Sequence, residues 1–164
     1  MVTVADELAK KQKEISISEF FLKNRHLLGF DNPTRALMMV VKEAVDNSLD
    51  ACTEMKILPE IKIELRQINE NRFIVIVEDN GPGIVKQQIP NIFGKLLYGS
   101  KFHSMRQSRG QQGIGISAAV LYSQLTTGKS TKIYSKIGPK KAALYFELQI
   151  DTKKNDPNVL KDQE

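Results

Sequence analysis

The sequence predicts an α+β fold, a two-layer sandwich in which helices cover one face of a mixed, mainly antiparallel sheet. Two observations carry this prediction. The patterns follow one another along the chain as helix, strand pair, loop, helix and strand pair. In addition, residues 61–65 alternate apolar and charged side chains, which is typical of a strand with one face in water.

Length and composition indicate one globular domain. The chain has 164 residues, of which 41% are hydrophobic and 26% are charged, enough to bury a core without disulfides or metal. Cys52 is the only cysteine and there are two histidines, so an internal disulfide is impossible and a zinc site is not expected. No apolar run reaches the length of a membrane span, and the N-terminus lacks the layout of a signal peptide. We therefore expect no membrane contact and a cytoplasmic location, or a nuclear one in a eukaryote.

The N-terminal part predicts an arm and a short helix. Residues 1–16 are polar and lysine-rich, which favours an arm whose order depends on a partner. A short helix follows at residues 19–22, with Ser18 as its N-cap, because a serine side chain can accept a hydrogen bond from the first helical turn.

The next segment predicts a long helix followed by a β-hairpin. The helix begins at Pro33, which is well tolerated at the first helical position, and runs to about Met55. Pro59 prevents it from continuing much further. Two strands follow, a half-buried one at residues 61–65 and a more buried one at residues 72–78.

The second half predicts a loop, a helix and two more strands. Residues 98–113 are rich in Gly, Ser, Gln and basic side chains, which is typical of a loop. Residues 114–125 have helical character, and strands are expected near residues 132–136 and 142–150. Residues 153–164 are polar and predict a tail rather than a further element.

The long helix carries the motif EAVDNSLD at residues 43–50, which has two interpretations. Its spacing of i, i+4 and i+7 aligns Glu43, Asn47 and Asp50 on one stripe of the helix. Carboxylates and an amide on a largely apolar helix are costly to bury without partners. The stripe is therefore either a solvated polar face or part of a binding site.

The second strand runs into the motif DNGPG, which begins at Asp79. These are the residues of an ordinary tight turn. Alternatively, Asp79 could accept a hydrogen bond from an exocyclic amine of a base, while Gly81 and Gly83 let the backbone approach a flat ring.

The motif GQQGIG at residues 110–115 precedes a helix and can bind phosphate through its backbone N–H groups and the helix N-terminus. Its glycine spacing is the reverse of the dinucleotide fingerprint, so a Rossmann fold is excluded. Gly128 begins a stretch that copies the end of a P-loop, but Ser123 replaces the first glycine and the flanking elements are swapped, so that match is rejected as well.

The charge distribution is uneven along the chain. No Asp or Glu occurs between Asn80 and Phe146, whereas lysines and arginines are frequent in that window. Such a segment produces a positive field that attracts nucleotides or nucleic acid, or it forms a solubilising surface that the acidic first half balances.

Taken together, the three motifs resemble those of the GHKL ATPases, the superfamily of gyrase B, mismatch-repair ATPases, histidine kinases and heat-shock chaperones. Within it, the chain is most similar to the B subunits of type IIB DNA topoisomerases, through FDNPTRAL at residues 30–37, GKLLYGSKF at residues 94–102 and RGQQGIGISAAVLY at residues 109–122. The resemblance implies a GHKL (Bergerat) fold at residues 17–152, with residues 153–164 as the start of a truncated remainder.

The resemblance also implies roles for single residues. Glu43 would be the general base, Asn47 a ligand of Mg²⁺, and Asp79 and Gly83 would contact the adenine of ATP. The remaining implied nucleotide-binding residues belong to the loop and its lid over ATP: Ser100, Lys101, Gly110, Gln111, Gln112, Gly113, Ile114, Gly115, Ile116 and Ser117.

The resemblance implies an ATP-hydrolysing domain whose homodimerisation on ATP binding gates DNA strand passage, while a separate A subunit cleaves the DNA. The N-terminal arm would reach the second protomer. Nothing here corresponds to the transducer domain that supplies a lysine to the γ-phosphate in these relatives. We therefore expect an N-terminal fragment or a reduced form, with slow hydrolysis on its own. The alternatives are a chaperone or mismatch-repair clamp with the same ATPase fold, and a nucleic-acid-binding module without enzymatic activity.

Overall fold

The computed structural model describes residues 16–98 and 115–164 and confirms the α+β prediction. The helices are α1 (Ile17–Asn24), α2 (Pro33–Glu54), α3 (Ile89–Gly94) and α4 (Gly115–Thr127). The strands are β1 (Ile61–Asn69), β2 (Arg72–Asp79), β3 (Thr131–Ser135), β4 (Leu144–Asp151) and β5 (Asp156–Gln163).

Helix α1 begins earlier than predicted. Its N-cap is Ser16, whose hydroxyl accepts a hydrogen bond from the Glu19 N–H at 3.2 Å. The prediction of Ser18 as the cap was wrong, because Ser18 lies inside the first turn and its hydroxyl bonds that of Ser16. The helix is held to the core by Phe21, which is fully buried and packs on Phe30 with 5.6 Å between the ring centroids.

Helix α2 has the predicted boundaries. Asn32 caps it by accepting a hydrogen bond from the Arg35 N–H at 2.8 Å, and Pro33 is its first residue. The C-cap is Met55. Helix α2 packs against α4 and against the β1–β2 hairpin, so it connects two parts of the fold.

The strands form two antiparallel sheets in the described residues. One sheet is the predicted hairpin of β1 and β2, in which Ile61 pairs with Asp79. The other has the order β3-β4-β5. Strand β2 is more exposed than predicted: Phe73, Ile74 and Ile76 are 37%, 43% and 38% exposed. An apolar strand is buried on both faces only when layers cover both, and in the described part of the fold α2 is the helix that packs on β2.

Strand β5 lies where the sequence predicts a polar tail. It is an edge strand whose backbone pairs with β4, so its polar side chains remain in water and give no burial pattern. The turn before it is fixed by Asn155, which accepts a hydrogen bond from the Leu96 N–H at 2.9 Å and donates one to the Leu96 carbonyl at 3.1 Å. Lys95 adds an ion pair with Asp156.

The core lies between α4 and the three-stranded sheet. Strand β4 alternates in burial, and its buried face consists of Leu144, Phe146, Leu148 and Ile150. Helix α4 packs on this face with Leu121 fully buried. Gln124 ties the helix to the strand, because its amide donates to the Ile150 carbonyl at 3.0 Å and accepts from the Ile150 N–H at 2.7 Å. This packing fixes the position of the first turn of α4, which borders the candidate site.

Candidate functional site

The metal-ligand candidate Asn47 is oriented by its own helix. Its side-chain NH₂ group donates to the Glu43 carbonyl, one turn earlier on α2, at 2.6 Å. This bond turns the amide so that Oδ1 points away from the helix backbone. Within residues 16–98 and 115–164, Oδ1 accepts no hydrogen bond. A free amide oxygen on a half-buried side chain can act as a ligand for a hard cation such as Mg²⁺.

The candidate base Glu43 lies against the first residue of α4. Its side chain is 12% exposed, and its carboxylate packs on the Cα of Gly115. A Cβ built at residue 115 would stand 2.5 Å from the Glu43 Cδ, and its three nearest neighbours all belong to Glu43. Glycine at this position is therefore what lets the carboxylate reach the N-terminus of α4, where the helix dipole favours negative charge.

A lysine that sequence reasoning missed stands beside this carboxylate. The Lys42 Nζ lies 2.7 Å from Asp46 Oδ2 and 3.6 Å from Glu43 Oε1. The hydrogen bond to Asp46 raises the pKa of Lys42, partial burial opposes this effect, and the negative charge of Glu43 adds to it. Lys42 is therefore a permanent cation at neutral pH. The i, i+4 spacing of Lys42 and Asp46 was the signal that could have identified the pair.

Asp79 is the candidate residue for contact with the adenine ring, and two hydrogen bonds hold its carboxylate. It is the last residue of β2, and its Oδ1 accepts from the Gly81 N–H at 2.9 Å. Its Oδ2 accepts from the Ser48 hydroxyl on α2 at 2.7 Å. Ser48 is 6% exposed and was not among the predicted site residues, although it lies inside the EAVDNSLD motif.

Asn80 fixes the backbone of the turn. Its side-chain NH₂ donates to the Leu58 carbonyl at 3.0 Å, and its Oδ1 accepts from the Glu60 N–H at 2.9 Å. The buried Cys52 thiol on α2 also donates to Oδ1, with a sulfur–oxygen distance of 3.6 Å. The turn is thus joined to α2 and to the segment that leads into β1.

The far end of the turn is joined to β3. Gly83 has a φ of +72°, and a Cβ there would meet the backbone of Lys136, 2.7 Å from its carbonyl carbon. Both features require glycine. The Ser135 hydroxyl accepts from the Ile84 N–H at 2.7 Å and donates to the Ile84 carbonyl at 2.9 Å.

An open cleft of about 320 Å³ lies beside this junction. Its lining residues come from the turn and from the β3–β4 loop: Gly81, Pro82, Lys136, Ile137, Gly138 and Pro139. Glu43, Asn47 and Asp79 are not among these lining residues, so the cleft adjoins the Asp79 turn through Gly81 and Pro82. Contact of Gly83 with a base stays a prediction.

Helix α2 brings the two ends of the candidate site together. It carries Glu43 itself and, through Ser48, it holds Asp79. A helix rises by about 1.5 Å per residue, so Glu43 and Ser48 are separated by roughly 7.5 Å along the axis. Of the other predicted residues, Gly115, Ile116 and Ser117 form the first turn of α4, where Ser117 is buried. The remaining ones lie outside the described residues, as does the N-terminal arm up to residue 15: Ser100, Lys101, Gly110, Gln111, Gln112, Gly113 and Ile114.

The described residues give two negative findings. They contain no group of three or more His, Cys, Asp or Glu side chains placed to hold a metal ion. Within residues 16–98 and 115–164 we also find no helix with the length and apolar character that a membrane span needs.

Gly115→Ala is expected to displace Glu43 while keeping α4 helical. Alanine suits a helix, but its methyl group would overlap the Glu43 carboxylate. If Glu43 is a general base, displacing it should lower the rate of nucleotide hydrolysis about ten- to a hundredfold, as small misplacements of catalytic groups do. Steady-state phosphate release measures this.

In a Glu43→Ala background the methyl group meets no carboxylate, so thermal stability should be lowered by Gly115→Ala only when Glu43 is present. Equal destabilisation in both backgrounds would contradict the contact.

Comparison with known proteins gives a family and close relatives. Residues 32–152 match the family described as histidine kinase-, DNA gyrase B- and HSP90-like ATPase. The chain is 60% identical to the B subunit of type 2 DNA topoisomerase 6 from Methanosarcina barkeri over 161 residues, which are 98% of this chain and 26% of that protein. The protein of the same name from Archaeoglobus fulgidus is 56% identical over 96% of this chain and 26% of its own length. That from Natronomonas pharaonis is 59% identical over 95% of this chain and 19% of its own length. The chain thus spans about a quarter or less of these relatives.

Proposed function

The chain belongs to the histidine kinase-, DNA gyrase B- and HSP90-like ATPase family, and on that premise we propose that it binds ATP with Mg²⁺ between α2, the Asp79 turn and the start of α4, and hydrolyses it. Membership of this family implies nucleotide binding. The identity of the nucleotide, the metal and the site residues are part of the proposal.

One observation supports the proposal: the single helix α2 carries the candidate general base, Glu43, and also holds Asp79, the candidate contact of the adenine ring. Glu43 contacts the N-terminus of α4, and Ser48 bonds Asp79 about one and a half turns further along α2. Asn47 lies between them, with its Oδ1 turned away from the helix. A nucleoside triphosphate has a matching order of groups along its length, with the nucleobase at one end and the γ-phosphate at the other.

The residues present fit a magnesium ion. Asn47 offers a neutral oxygen ligand one turn along α2 from Glu43, whose carboxylate packs on the first residue of α4. When bound, Mg²⁺ would neutralise part of the negative charge of the phosphate groups. Because one protein ligand and several waters satisfy Mg²⁺ in such sites, Asn47 would be its main contact on this chain.

The geometry supports a general-base mechanism of hydrolysis. The Glu43 carboxylate would accept a proton from a water molecule, while the water oxygen forms a bond to the γ-phosphorus. The bond between the γ-phosphorus and the bridging oxygen breaks, and ADP leaves with that electron pair. Lys42 stands beside Glu43 as a counter-ion, and the first turn of α4 would bind the phosphates through its backbone N–H groups.

The relatives suggest the larger role. By similarity to the B subunits of type 2 DNA topoisomerase 6, we propose that ATP drives homodimerisation of this domain and thereby gates the passage of DNA. A separate A subunit would cleave that DNA. Such a complex would act where the chromosome is, in the cytoplasm of a prokaryote or in a nucleus.

Calorimetric titration tests the nucleotide site. With Mg²⁺ present, the 164-residue chain should bind the β,γ-imido analogue of ATP more tightly than it binds the analogous GTP compound or tripolyphosphate. Equal affinities for all three ligands would contradict base recognition, and no binding would contradict the site.

A second candidate function rests on exposed lysines. Those between residues 129 and 141 are all on the surface: Lys129, Lys132, Lys136, Lys140 and Lys141. They suit a nucleic-acid-binding module without enzymatic activity, whose DNA affinity falls steeply with salt and is indifferent to ATP. Fluorescence-anisotropy titrations of duplex DNA, with and without the ATP analogue, separate this candidate from an ATP-dependent one.

A further inference from the structure

We infer that Ser48 is a positioning residue for base recognition, because its buried hydroxyl holds the Asp79 carboxylate in the orientation that accepts an adenine amine. The inference rests on the proposed function, since it takes Asp79 as the residue that reads the base. Its structural basis is the 2.7 Å hydrogen bond from the Ser48 Oγ to the Asp79 Oδ2, which joins α2 to the end of β2.

The position of Ser48 indicates a role beyond the helix. In the middle of a helix a serine usually turns to solvent or bonds a carbonyl of the preceding turn, and it lowers helix stability slightly. Ser48 is 6% exposed, and its hydroxyl donates instead to a residue 31 positions away. Its only hydroxyl proton is therefore used on Asp79.

The two hydrogen bonds on Asp79 fix its carboxylate. The Gly81 N–H donates to Oδ1 and the Ser48 hydroxyl donates to Oδ2, so rotation of the carboxylate breaks at least one bond. Each oxygen keeps a lone pair for another donor. Held in this way, Asp79 presents only acceptors, which suit the 6-amino group of adenine and repel the 6-oxo group of guanine or hypoxanthine.

The backbone of the turn does not depend on Ser48. Asn80 bonds Leu58 and Glu60, and the Cys52 thiol supports it from α2. Loss of the Ser48 hydroxyl therefore frees the carboxylate to rotate but leaves the turn in place. The consequence for binding should be specific to the base.

The test compares two nucleotides on the full chain. We expect Ser48→Ala to lower affinity for the β,γ-imido analogue of ATP by about tenfold, the size expected for one hydrogen bond to a charged group. Affinity for the corresponding inosine analogue should not change. Ser48→Thr keeps the hydroxyl and should restore most of the preference. Ser130→Ala is the matched control, because it removes a hydroxyl bonded to the Glu147 carboxylate away from the site; it should change neither affinity.

A double-mutant cycle completes the test. In an Asp79→Asn background, Ser48→Ala should have no further effect on the preference for adenine, because the group it orients has been changed. The inference is overturned if Ser48→Ala weakens both nucleotides equally, which is the result of a merely structural role, or weakens neither. If the unaltered chain binds no ATP analogue, the proposed function fails as well. If the unaltered chain binds that analogue and Ser48→Ala binds it with the same affinity, this inference alone is overturned and the proposed function stands.

Discussion

Glu43→Ala is expected to remove ATP hydrolysis while leaving ATP binding nearly intact. General-base catalysis by a positioned carboxylate contributes about 10²–10⁴-fold to the rate of a reaction, so a loss of that size is expected in single-turnover phosphate release. Binding should be kept, because the base touches the attacking water rather than the nucleotide. Removing a negative charge next to the phosphate site also reduces repulsion of the anionic ligand, so affinity should not fall.

The matched control is Glu54→Ala, the same substitution at an exposed position in the last turn of α2. It should change neither hydrolysis nor affinity. Calorimetry with the β,γ-imido analogue measures binding without turnover. If Glu43→Ala binds the analogue poorly but hydrolyses at a normal rate once saturated, Glu43 is a ligand-binding residue and the assignment as base is wrong.

The boundaries of α2 could be predicted because their signals are local. The cap Asn32 accepts its hydrogen bond from a residue three positions away, and Pro33 fits the first turn without any help from the rest of the fold. The three motifs were also found from neighbouring residues. The structure joins the first motif to the second, since Ser48 bonds Asp79, and to the last residue of the third, since Glu43 packs on Gly115.

The remaining features depend on contacts that are distant in sequence. Ser48 could not be identified from spacing, because its partner is 31 residues away. The exposure of β2 could not be predicted, because an apolar strand has the same sequence pattern whether or not a second layer covers it. Strand β5 was missed since an edge strand is stabilised by its backbone, and its anchor Asn155 bonds Leu96 across 59 positions.

Asp79→Asn is expected to weaken binding of the ATP analogue by about a hundredfold and to remove the preference for adenine. Sites built to hydrogen-bond one group of a ligand discriminate strongly when the pairing is reversed. The Gly81 N–H can only donate, so the asparagine oxygen must face it. The NH₂ group then takes the place of Oδ2, where the Ser48 hydroxyl can rotate to accept its proton. The adenine amine and this NH₂ group are both donors, so they cannot form a hydrogen bond with each other. The 6-oxo group of hypoxanthine is an acceptor and can accept a hydrogen bond from the NH₂ group.

Three ligands measured on one variant separate the possible causes of weakened binding. Affinity for tripolyphosphate should stay unchanged in Asp79→Asn, affinity for the ATP analogue should fall, and affinity for the inosine analogue should rise or stay constant. Equal losses for all three ligands would mean that the turn itself had moved, and the role of Asp79 in recognising the base would be refuted.

Asn80→Asp provides the contrast, because Asn80 supports the turn through Leu58 and Glu60. Aspartate still accepts from the Glu60 N–H, but its second oxygen replaces the donor and faces the Leu58 carbonyl, acceptor against acceptor. Loss of this one support of the turn should weaken the ATP and inosine analogues alike. A base-specific loss in Asp79→Asn beside a uniform loss in Asn80→Asp would separate recognition from support within two adjacent residues.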